Sequence, residues 1–316
     1  MSDGLSKSMS LSDAQAVTNL HFKPILSCVV DRNPKFLMQA WIWLISAREA
    51  GVFNDCEVVV HHVGPTPAVL QSAAQRFGAK LCEVTPFGEG PARYCNKLQS
   101  HPPIINSGGP GAIMTDVDLF FFGSPVECWD DDFVQAKIVD HPNPPVELLS
   151  QLAEIFSLSP ISYDGIPTFR PENRTHALNC NGGLYMFPMP SLESVAPLWN
   201  SISTTCLTQE QILGQWLHHS DQIGFLFSML KTNMPFKPLS LRYNFPTHFK
   251  PRFYDGLDIE DIQIVHYHNK LLPSGHLIET GHEGVDAYIH RANQILEKYD
   301  DLPEYIEISA RYAASL

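Results

Sequence analysis

The sequence has no long apolar run, no paired-cysteine motif and no excess of basic residues, and each absence excludes a class of protein. Its apolar stretches fall short of the roughly 20 residues that a membrane-spanning helix needs. The stretch 1–17 is polar and Ser-rich and contains no apolar signal core. The 316 residues include 21 Lys and Arg against 34 Asp and Glu, a formal net charge of -13. This balance argues against a nucleic-acid-binding surface.

The seven cysteines are scattered, and no pair has the Cys-x-x-Cys spacing of a zinc knuckle. An odd number of cysteines without a pattern is typical of a reducing compartment, so we expect a cytoplasmic protein. The sequence also lacks a Gly-x-Gly-x-x-Gly loop after its first predicted strand, and it lacks a Walker loop. A dinucleotide-binding or P-loop cradle for phosphate is therefore not expected.

What is present in the first third of the chain is an alternation of short apolar runs with helical segments. The runs predict strands at 24–30, 56–63 and 80–84 and a fourth strand entering the segment 112–122. The intervening segments predict helices at 35–50, 67–77 and 91–99. This order predicts an α/β fold with a mostly parallel central sheet and helices on both faces. Open sheets of this kind bind ligands beyond the carboxyl ends of their strands.

The second half of the chain is less regular. Its patterns predict strands at 133–139, 239–245 and 262–268, a Gly-rich turn entering a strand at 181–187, and helices at 145–156, 192–201, 209–218, 221–230 and 284–299. A long polar loop spans 157–175. Without repeats or a clear linker, we expect a loose tail at 1–20 and one domain at 21–316. A nucleotide-binding half (21–125) would precede an acceptor-side half with the C-terminal helix (126–316).

Two carboxylates one residue apart, Asp116 and Asp118, lie between apolar runs at the end of the fourth predicted strand. Such a pair repels itself and resists desolvation, so it usually needs a cation. Mg²⁺ and Mn²⁺ take oxygen ligands of this kind and complete their shells with water and phosphates. Asp31 falls at the end of the first strand and would line the same crevice. The alternative is a solvated turn, in which Asp is common.

Four later stretches follow the acid pair in a fixed order: Asn181-Gly182-Gly183, Ser220-Asp221-Gln222, Tyr243-Asn244 and Val265-His266-Tyr267-His268-Asn269. Each alone has a plain structural explanation, such as a helix cap, a turn or a core histidine. Together, over residues 24–275, their order resembles the GT-A-fold nucleotide-sugar glycosyltransferases. The pattern is most similar to the glycogenin-like and lipopolysaccharide-galactosyltransferase group.

The resemblance implies that Asp116 and Asp118 hold Mn²⁺ or Mg²⁺ together with the donor diphosphate, and that His266 is the third protein ligand. His268 is a rival ligand, because residues two apart on a strand share a face. Asn269 stands where the group has a glycine, and Lys270 stands within reach of the diphosphate.

The same resemblance implies a donor-binding set and a catalytic set. The donor-binding residues are Val30, Asp31, Arg93, Lys97, Asp116, Val117, Asn181, Gly182, Gly183 and Lys270. The catalytic residues are Lys97, which takes the position of the group's arginine, and Asp221 and Gln222, which lie near the anomeric carbon. Lys supplies the charge of an arginine without its bidentate geometry.

The implied reaction moves a sugar from a UDP- or GDP-sugar to a hydroxyl group of a carbohydrate or other acceptor, with retention. An inverting enzyme would need a carboxylate base, for which Asp221 or Asp164 would serve. The acceptor would lie near Tyr163, Tyr243, His248 and the long loop. Three alternatives stay open: a GT-A-fold nucleotidyltransferase, a non-catalytic nucleotide-sugar binding protein, and an Asp-x-Asp phosphohydrolase.

Overall fold

Four parallel strands from the first third of the chain form one half of a seven-stranded sheet. The structure is a computed structural model that describes residues 23–161 and 174–316. The four strands are β1 (Ile25–Val30), β2 (Glu57–Val63), β3 (Lys80–Val84) and β4 (Gly111–Thr115). They pair in the order β3-β2-β1-β4, all parallel. Their carboxyl ends therefore meet at one edge of the sheet.

The second half of the chain completes this sheet. Strands β6 (Val134–Ile138), β7 (Cys180–Pro188) and β8 (Phe236–Pro238) extend the order to β3-β2-β1-β4-β7-β6-β8. Strand β7 is antiparallel to β4 and β6, whereas β6 and β8 are parallel. Because β7 runs against β4, its first residues lie beside the carboxyl end of β4.

A second, three-stranded sheet stands at the same edge. Strands β5 (Leu119–Phe121), β9 (Phe245–Pro246) and β10 (Ile264–His266) pair in the order β5-β10-β9. Strand β10 is antiparallel to β5 and parallel to β9. The end of β10 is thereby fixed next to the segment between β4 and β5.

Helices cover both faces of the central sheet. They are α1 (Pro34–Glu49), α2 (Ala68–Phe77), α3 (His101–Asn106), α4 (Val146–Ile155), α5 (Met189–Leu207), α6 (Ser220–Thr232), α7 (Glu283–Glu297) and α8 (Pro303–Ala313), with short helical turns at Val52–Asp55 and Glu210–Leu213. Shorter 3₁₀ segments occur at Gly90–Ser100, Pro125–Cys128, Gly214–His219, Leu241–Tyr243 and Pro251–Phe253. Helix α1 begins with Asn33, whose side chain accepts a hydrogen bond from the Lys35 amide, followed by Pro34 in the first turn.

The core divides along the two faces of the sheet, as strand alternation requires. On one face Leu26 and Cys28 pack with the buried residues of α1 and the C-terminal helices. On the other face Ile25 packs in a cluster that includes Trp199 of α5. The Trp199 ring contacts Tyr185 and Phe225 at centroid distances of 5.0 and 5.3 Å. Strands β1, β2 and β4 are thus buried on both sides, which explains their largely apolar sequences, whereas β3 is partly exposed.

The predicted α/β fold with a mostly parallel sheet is confirmed, and several local predictions are wrong. The Asn181-Gly182-Gly183 segment lies within β7 and forms no turn. Of the predicted strand 239–245 only Phe245 is in a strand, and Leu241–Tyr243 is a 3₁₀ segment. The predicted strand 262–268 ends at His266. Helix α8 was not predicted; it begins at Pro303, which suits a first helical position.

The predicted tail at 1–20 lies outside the described residues, as does most of the predicted long loop, including Tyr163 and Asp164. The predicted division at residue 125 stays a prediction, and β4 and β7 pair across it. Among the described residues, no helix is both long and apolar enough to cross a bilayer.

Candidate metal and donor site

The acid pair is held by backbone hydrogen bonds from both sheets at the carboxyl edge. The Asp116 amide donates to the Gly183 carbonyl of β7 at 2.9 Å, and the Tyr267 amide, just after β10, donates to the Asp118 carbonyl at 3.1 Å. These bonds fix the segment between β4 and β5 relative to β7 and β10. Residues that are distant in the sequence therefore face each other around the two carboxylates.

Asp118, His266 and His268 form one cluster. The Nε2 atom of His266 lies 3.2 Å from Oδ1 of Asp118, and the His266 side chain is only 6% exposed. One possible ligand atom from each of the three residues lies within 4.8 Å of the other two. The two imidazole rings are 3.8 Å apart between centroids. One carboxylate and two imidazoles at this spacing could hold a divalent cation.

A chain of hydrogen bonds determines the tautomer of His266. The Gly183 amide donates to Oδ1 of Asn181 at 2.8 Å, so this atom is an oxygen that accepts. Asn244 approaches the same oxygen at 3.1 Å and must present its Nδ2 donor. Its Oδ1 then faces Nδ1 of His266 at 2.9 Å, so Nδ1 carries the proton. The lone pair of His266 is therefore on Nε2, the atom nearest Asp118.

His268 reaches this cluster through a backbone turn. Its φ of 55° lies in the left-handed region, which is uncommon for a residue with a side chain. Its carbonyl accepts a hydrogen bond from Nε2 of Gln39 at 3.0 Å, and its ring stacks on His248 at 4.0 Å. The expectation that His266 and His268 share one face of a strand is therefore wrong, because the strand ends before His268. Both rings nevertheless lie at Asp118.

Lys97 forms a second cluster beside the first. Its Nζ atom lies 2.6 Å from Oδ1 of Asp116 and 3.1 Å from Oδ2 of Asp221, and it donates to the Gly182 carbonyl at 3.0 Å. Burial alone would lower the pKa of this ammonium, but the two carboxylates outweigh it and raise the pKa. The Lys97 side chain is 16% exposed and that of Asp221 is 4% exposed. A permanently charged cation is thus fixed next to Asp116.

The two glycines at the start of β7 leave room for these clusters. A Cβ on Gly182 would lie 2.8 Å from Nζ of Lys97, and one on Gly183 would lie 2.6 Å from Nδ1 of His266. Neighbouring residues on a strand face opposite sides. Each glycine therefore permits a close approach from its own side of the sheet, which explains why two glycines stand side by side.

The pKa shifts follow from burial. Burial raises the pKa of Asp118, and it raises that of Asp116 despite the opposing field of Lys97. Burial lowers the pKa of His266 to about 3, despite the nearby carboxylate of Asp116. The imidazole is consequently neutral at neutral pH, which is the form that binds a metal.

Similarity to known proteins is found in the fold and not in the sequence. No protein-family model matches the sequence, and no curated protein matches it. The galactosyltransferase LgtC, solved with donor and acceptor sugar analogues, superposes with a TM-score of 0.50 at 11% identity, covering 90% of this chain and 99% of LgtC. The bifunctional glycosyltransferase WbbM superposes with a TM-score of 0.53 at 12% identity, covering 93% of this chain and 52% of WbbM.

The chain has a GT-A-like fold. The resemblance that the order of sequence motifs predicted is confirmed at the level of the fold. At these identities the superposition does not extend to the roles of individual side chains. Those roles are argued below from the contacts within the GT-A-like fold of this chain.

The remaining predicted donor residues fall into three groups. Val30, the last residue of β1, and Val117, between β4 and β5, have side chains buried in the hydrophobic core, so only their backbone atoms are candidates for donor contact. Arg93 and Lys270 are exposed at the surface. Asp31 follows β1 directly, at the carboxyl edge.

Two further predicted residues differ in their surroundings. The Nε2 atom of Gln222 would be 3.3 Å from a Cβ on Gly182, so its amide lies beside the Lys97 cluster. Tyr243 was expected near the acceptor, but its side chain is 2% exposed and belongs to the hydrophobic core. It therefore offers no open surface to a sugar.

Further side chains at this edge of the sheet were not predicted from the sequence. Asn244 orients His266, as described above. Nζ of Lys35, in the first turn of α1, donates to Oδ1 of Asn269 at 2.8 Å, next to His268. Lys137 of β6 and Asp140, just after that strand, form a buried ion pair, and the field of Asp140 acts on His248. Only Asn244 stood within a stretch that the sequence singled out; the two lysines had no local signal.

Proposed function

We propose that this chain is a metal-dependent glycosyltransferase that moves a sugar from a UDP- or GDP-sugar to a hydroxyl group of a carbohydrate or other acceptor, with retention. The observation that carries the proposal is the 3.2 Å approach of His266 to Asp118 at the carboxyl edge of a GT-A-like sheet, beside the Lys97 cluster. Residues 148 positions apart in the sequence converge there, where open α/β sheets bind their ligands.

In this proposal Asp116, Asp118 and His266 would hold Mn²⁺ or Mg²⁺, with His268 as the rival of His266. The cation, when bound, supplies Lewis-acid stabilisation of the charge that develops on the leaving diphosphate. Asn244 and Asn181 keep the imidazole in the tautomer that presents a lone pair. A protein of net charge -13 could then bind an anionic donor, because the positive charge of the cation would outweigh the negative charge of the carboxylates at the site.

Lys97 is a positive charge that its contacts hold in one place. It is held by Asp116, Asp221 and the Gly182 carbonyl, so its charge needs no reorganisation during the reaction. We assign Asp116 and Asp221 to the positioning of Lys97, and Gln222 to the surroundings of the anomeric carbon. Asp31, Asn181, Gly182, Gly183 and the backbone of Val30 and Val117 complete the donor side.

Retention is supported by the state of Asp221. Asp221 is buried and paired with Lys97, so it is not the free base that an inverting reaction requires. Gln222 is not a nucleophile. The acceptor hydroxyl would attack from the side of the leaving group: its oxygen bonds to the anomeric carbon, the bond to the phosphate oxygen breaks, and its proton passes to that oxygen.

The test is thermal stabilisation by nucleotides. We expect UDP or GDP with Mn²⁺ to raise the melting temperature of the full chain, because a ligand at 100 times its Kd stabilises the folded state by about 2.7 kcal/mol. Asp118→Asn should abolish this rise. Asp301→Asn, an exposed aspartate before α8, is the matched control and should keep it. No stabilisation by any nucleoside diphosphate with any divalent cation would contradict the proposal.

Turnover separates the proposal from its alternatives. A glycosyltransferase should release the nucleoside diphosphate from its donor in a metal-dependent reaction, faster in the presence of an acceptor. Binding without release under any condition would indicate a non-catalytic nucleotide-sugar binding protein. Formation of a nucleotide sugar from a sugar phosphate and a nucleoside triphosphate would indicate a nucleotidyltransferase.

A further inference from the structure

We infer that Lys35, in the first turn of α1, is a phosphate-binding residue whose ammonium donates to a phosphate oxygen of the nucleoside-diphosphate donor. The inference deepens the function proposed above and rests on it in taking a diphosphate as the anion at this edge of the sheet. It assigns to α1 a direct contact with the donor.

Lys97 has no N–H group left for a phosphate. A lysine ammonium has three N–H donors. Those of Lys97 are taken by Oδ1 of Asp116, Oδ2 of Asp221 and the Gly182 carbonyl, at 2.6, 3.1 and 3.0 Å. Giving up one of these acceptors would leave it unpaired in a largely buried place, which is unfavourable. The charge of Lys97 acts on its surroundings, but a direct contact with the phosphates needs another donor.

Lys35 has the free donors that Lys97 lacks. Its Nζ atom donates to Oδ1 of Asn269 at 2.8 Å, and this acceptor is a neutral amide. Among the described residues no carboxylate forms an ion pair with Lys35, and two of its three N–H groups have no protein acceptor there. The side chain is half-buried. A half-buried ammonium whose charge is not neutralised is suited to receive an anion.

This ammonium lies beside the carboxylate of Asp118. Burial lowers the pKa of Lys35, and the field of Asp118 opposes that shift. The fields of Lys97 and Lys35, which belong to different segments, both act on Asp118. A diphosphate drawn to a cation at Asp118 therefore also approaches Lys35. Lysine is a common phosphate-binding residue because its ammonium is a compact point charge.

The position of Lys35 is fixed before a donor binds. Lys35 and Gln39 are four residues apart and share one face of α1. Gln39 is 1% exposed and donates to the His268 carbonyl at 3.0 Å, so this face of α1 contacts two successive residues of the turn after β10. The ring of Phe36 lies 4.7 Å from Nζ of Lys35 and supports its charge. Little order remains to be imposed when an anion arrives, which favours binding.

The first experiment measures binding of UDP and GDP with Mn²⁺ to the full chain by calorimetry. We expect Lys35→Met to weaken the binding by about 10- to 100-fold, which corresponds to the loss of one hydrogen bond from a charged group. Lys35→Arg keeps the charge and should retain most of the affinity. Lys35→Gln keeps an N–H donor for Asn269 without the charge, and it should lose as much as Lys35→Met does. Wild-type affinity in both uncharged variants would overturn the inference.

The matched control is Lys298→Met. Nζ of Lys298 donates to Oε2 of Glu49 at 3.1 Å, so this lysine also has a hydrogen-bonded ammonium. Glu49 is the last residue of the 16-residue helix α1, and the control therefore lies about 24 Å from Lys35 along the helix. Lys298→Met should bind both nucleotides with Mn²⁺ as the wild type does.

The second experiment separates phosphate binding from support of the turn after β10. Removing a positive charge beside a cation favours the cation, so Lys35→Met should bind Mn²⁺ without nucleotide no more weakly than the wild type does. Asn269→Ala removes the partner of Lys35 and leaves its charge, so its loss of nucleotide affinity should be smaller than that of Lys35→Met. An equal loss in Asn269→Ala, or a parallel loss of Mn²⁺ affinity in Lys35→Met, would overturn the inference.

Inorganic pyrophosphate with Mn²⁺ distinguishes failure of this inference from failure of the proposed function. A wild type that binds pyrophosphate more tightly than Lys35→Met does, but binds no nucleoside diphosphate, would support the role of Lys35 and contradict the glycosyltransferase. Equal binding of UDP or GDP by the wild type and Lys35→Met would do the reverse. A wild type that binds neither pyrophosphate nor nucleotide would contradict both.

Discussion

At the residue scale, Gly183 leaves no room for a side chain beside His266. An alanine there would place its Cβ 2.6 Å from Nδ1 of His266 and 2.9 Å from Oδ1 of Asn181. The flexible partner is the histidine ring, since Asn181 belongs to the same strand. We expect Gly183→Ala to turn His266 away from Asp118 and to weaken Mn²⁺ binding about tenfold or more, as loss of an orienting contact does. Calorimetry on the metal-stripped variant measures this change.

The control for this substitution is Gly109→Ala. A Cβ at Gly109 would meet its nearest neighbours at 3.8 Å, an ordinary contact distance. This variant should bind Mn²⁺ as the wild type does. If Gly183→Ala also retained full affinity, the close approach of β7 to His266 would have no part in holding the site.

Individual site residues could be predicted only where the neighbouring residues in the sequence form an unusual pattern. Asp116 and Asp118 stand out because carboxylates rarely follow an apolar run. The ion pair of Asp116 could not be predicted, since Lys97 approaches it from another segment. The left-handed backbone conformation of His268 could not be predicted from the sequence either, because it is fixed by contacts with Gln39 and His248.

At the scale of elements, the packing of α6 on α5 determines where Asp221 and Gln222 stand. A Cβ on Gly224 of α6 would lie 2.0 Å from Oγ of Ser203 and 2.9 Å from Cδ1 of Trp199. The indole of Trp199 also donates to the Asp221 carbonyl at 2.6 Å. We expect Gly224→Ala to force the helices apart and to lower the free energy of unfolding by about 1–3 kcal/mol, as overpacking does.

Urea denaturation followed by circular dichroism measures this loss. Gly109→Ala serves again as the control, because its Cβ has room. An unchanged free energy of unfolding in Gly224→Ala would mean that α5 and α6 adjust without strain, and that their contact does not fix Asp221.

Strands β1 and β4 of the first half could be predicted because each is buried on both faces and reads as a largely apolar run. Strands β8 and β9 contain three and two residues, which is too short to show an alternating pattern of apolar and polar residues. They exist because neighbouring strands supply their hydrogen bonds, which is tertiary information. The same holds for the start of β7, whose glycines resemble a turn in the sequence but are extended in the fold, where the Asp116 amide donates to the Gly183 carbonyl.

At the scale of the whole molecule, burial makes several histidines weak bases, and stability should depend on pH. His101 on α3 is 2% exposed, lies against Trp199 at a centroid distance of 5.0 Å, and has no hydrogen-bond partner for either nitrogen within the described part of the chain. Burial lowers its pKa to about 3. Burial also lowers the pKa of His61 on β2 to about 4, although a backbone contact at Cys28 opposes the shift.

The direction of the change in stability with pH depends on whether the folded or the unfolded chain binds more protons. An unfolded histidine has a pKa of about 6.5, so between that pH and the lowered native pKa the unfolded chain holds the additional proton. Each buried histidine should then reduce the free energy of unfolding by up to about 1.4 kcal/mol per pH unit as the pH falls through this range. His101→Phe keeps the ring against Trp199 and removes one titrating group. Urea denaturation from pH 7 to pH 4.5 should show a shallower loss of stability in His101→Phe than in the wild type, whereas parallel curves would place the acid sensitivity of this fold in other groups.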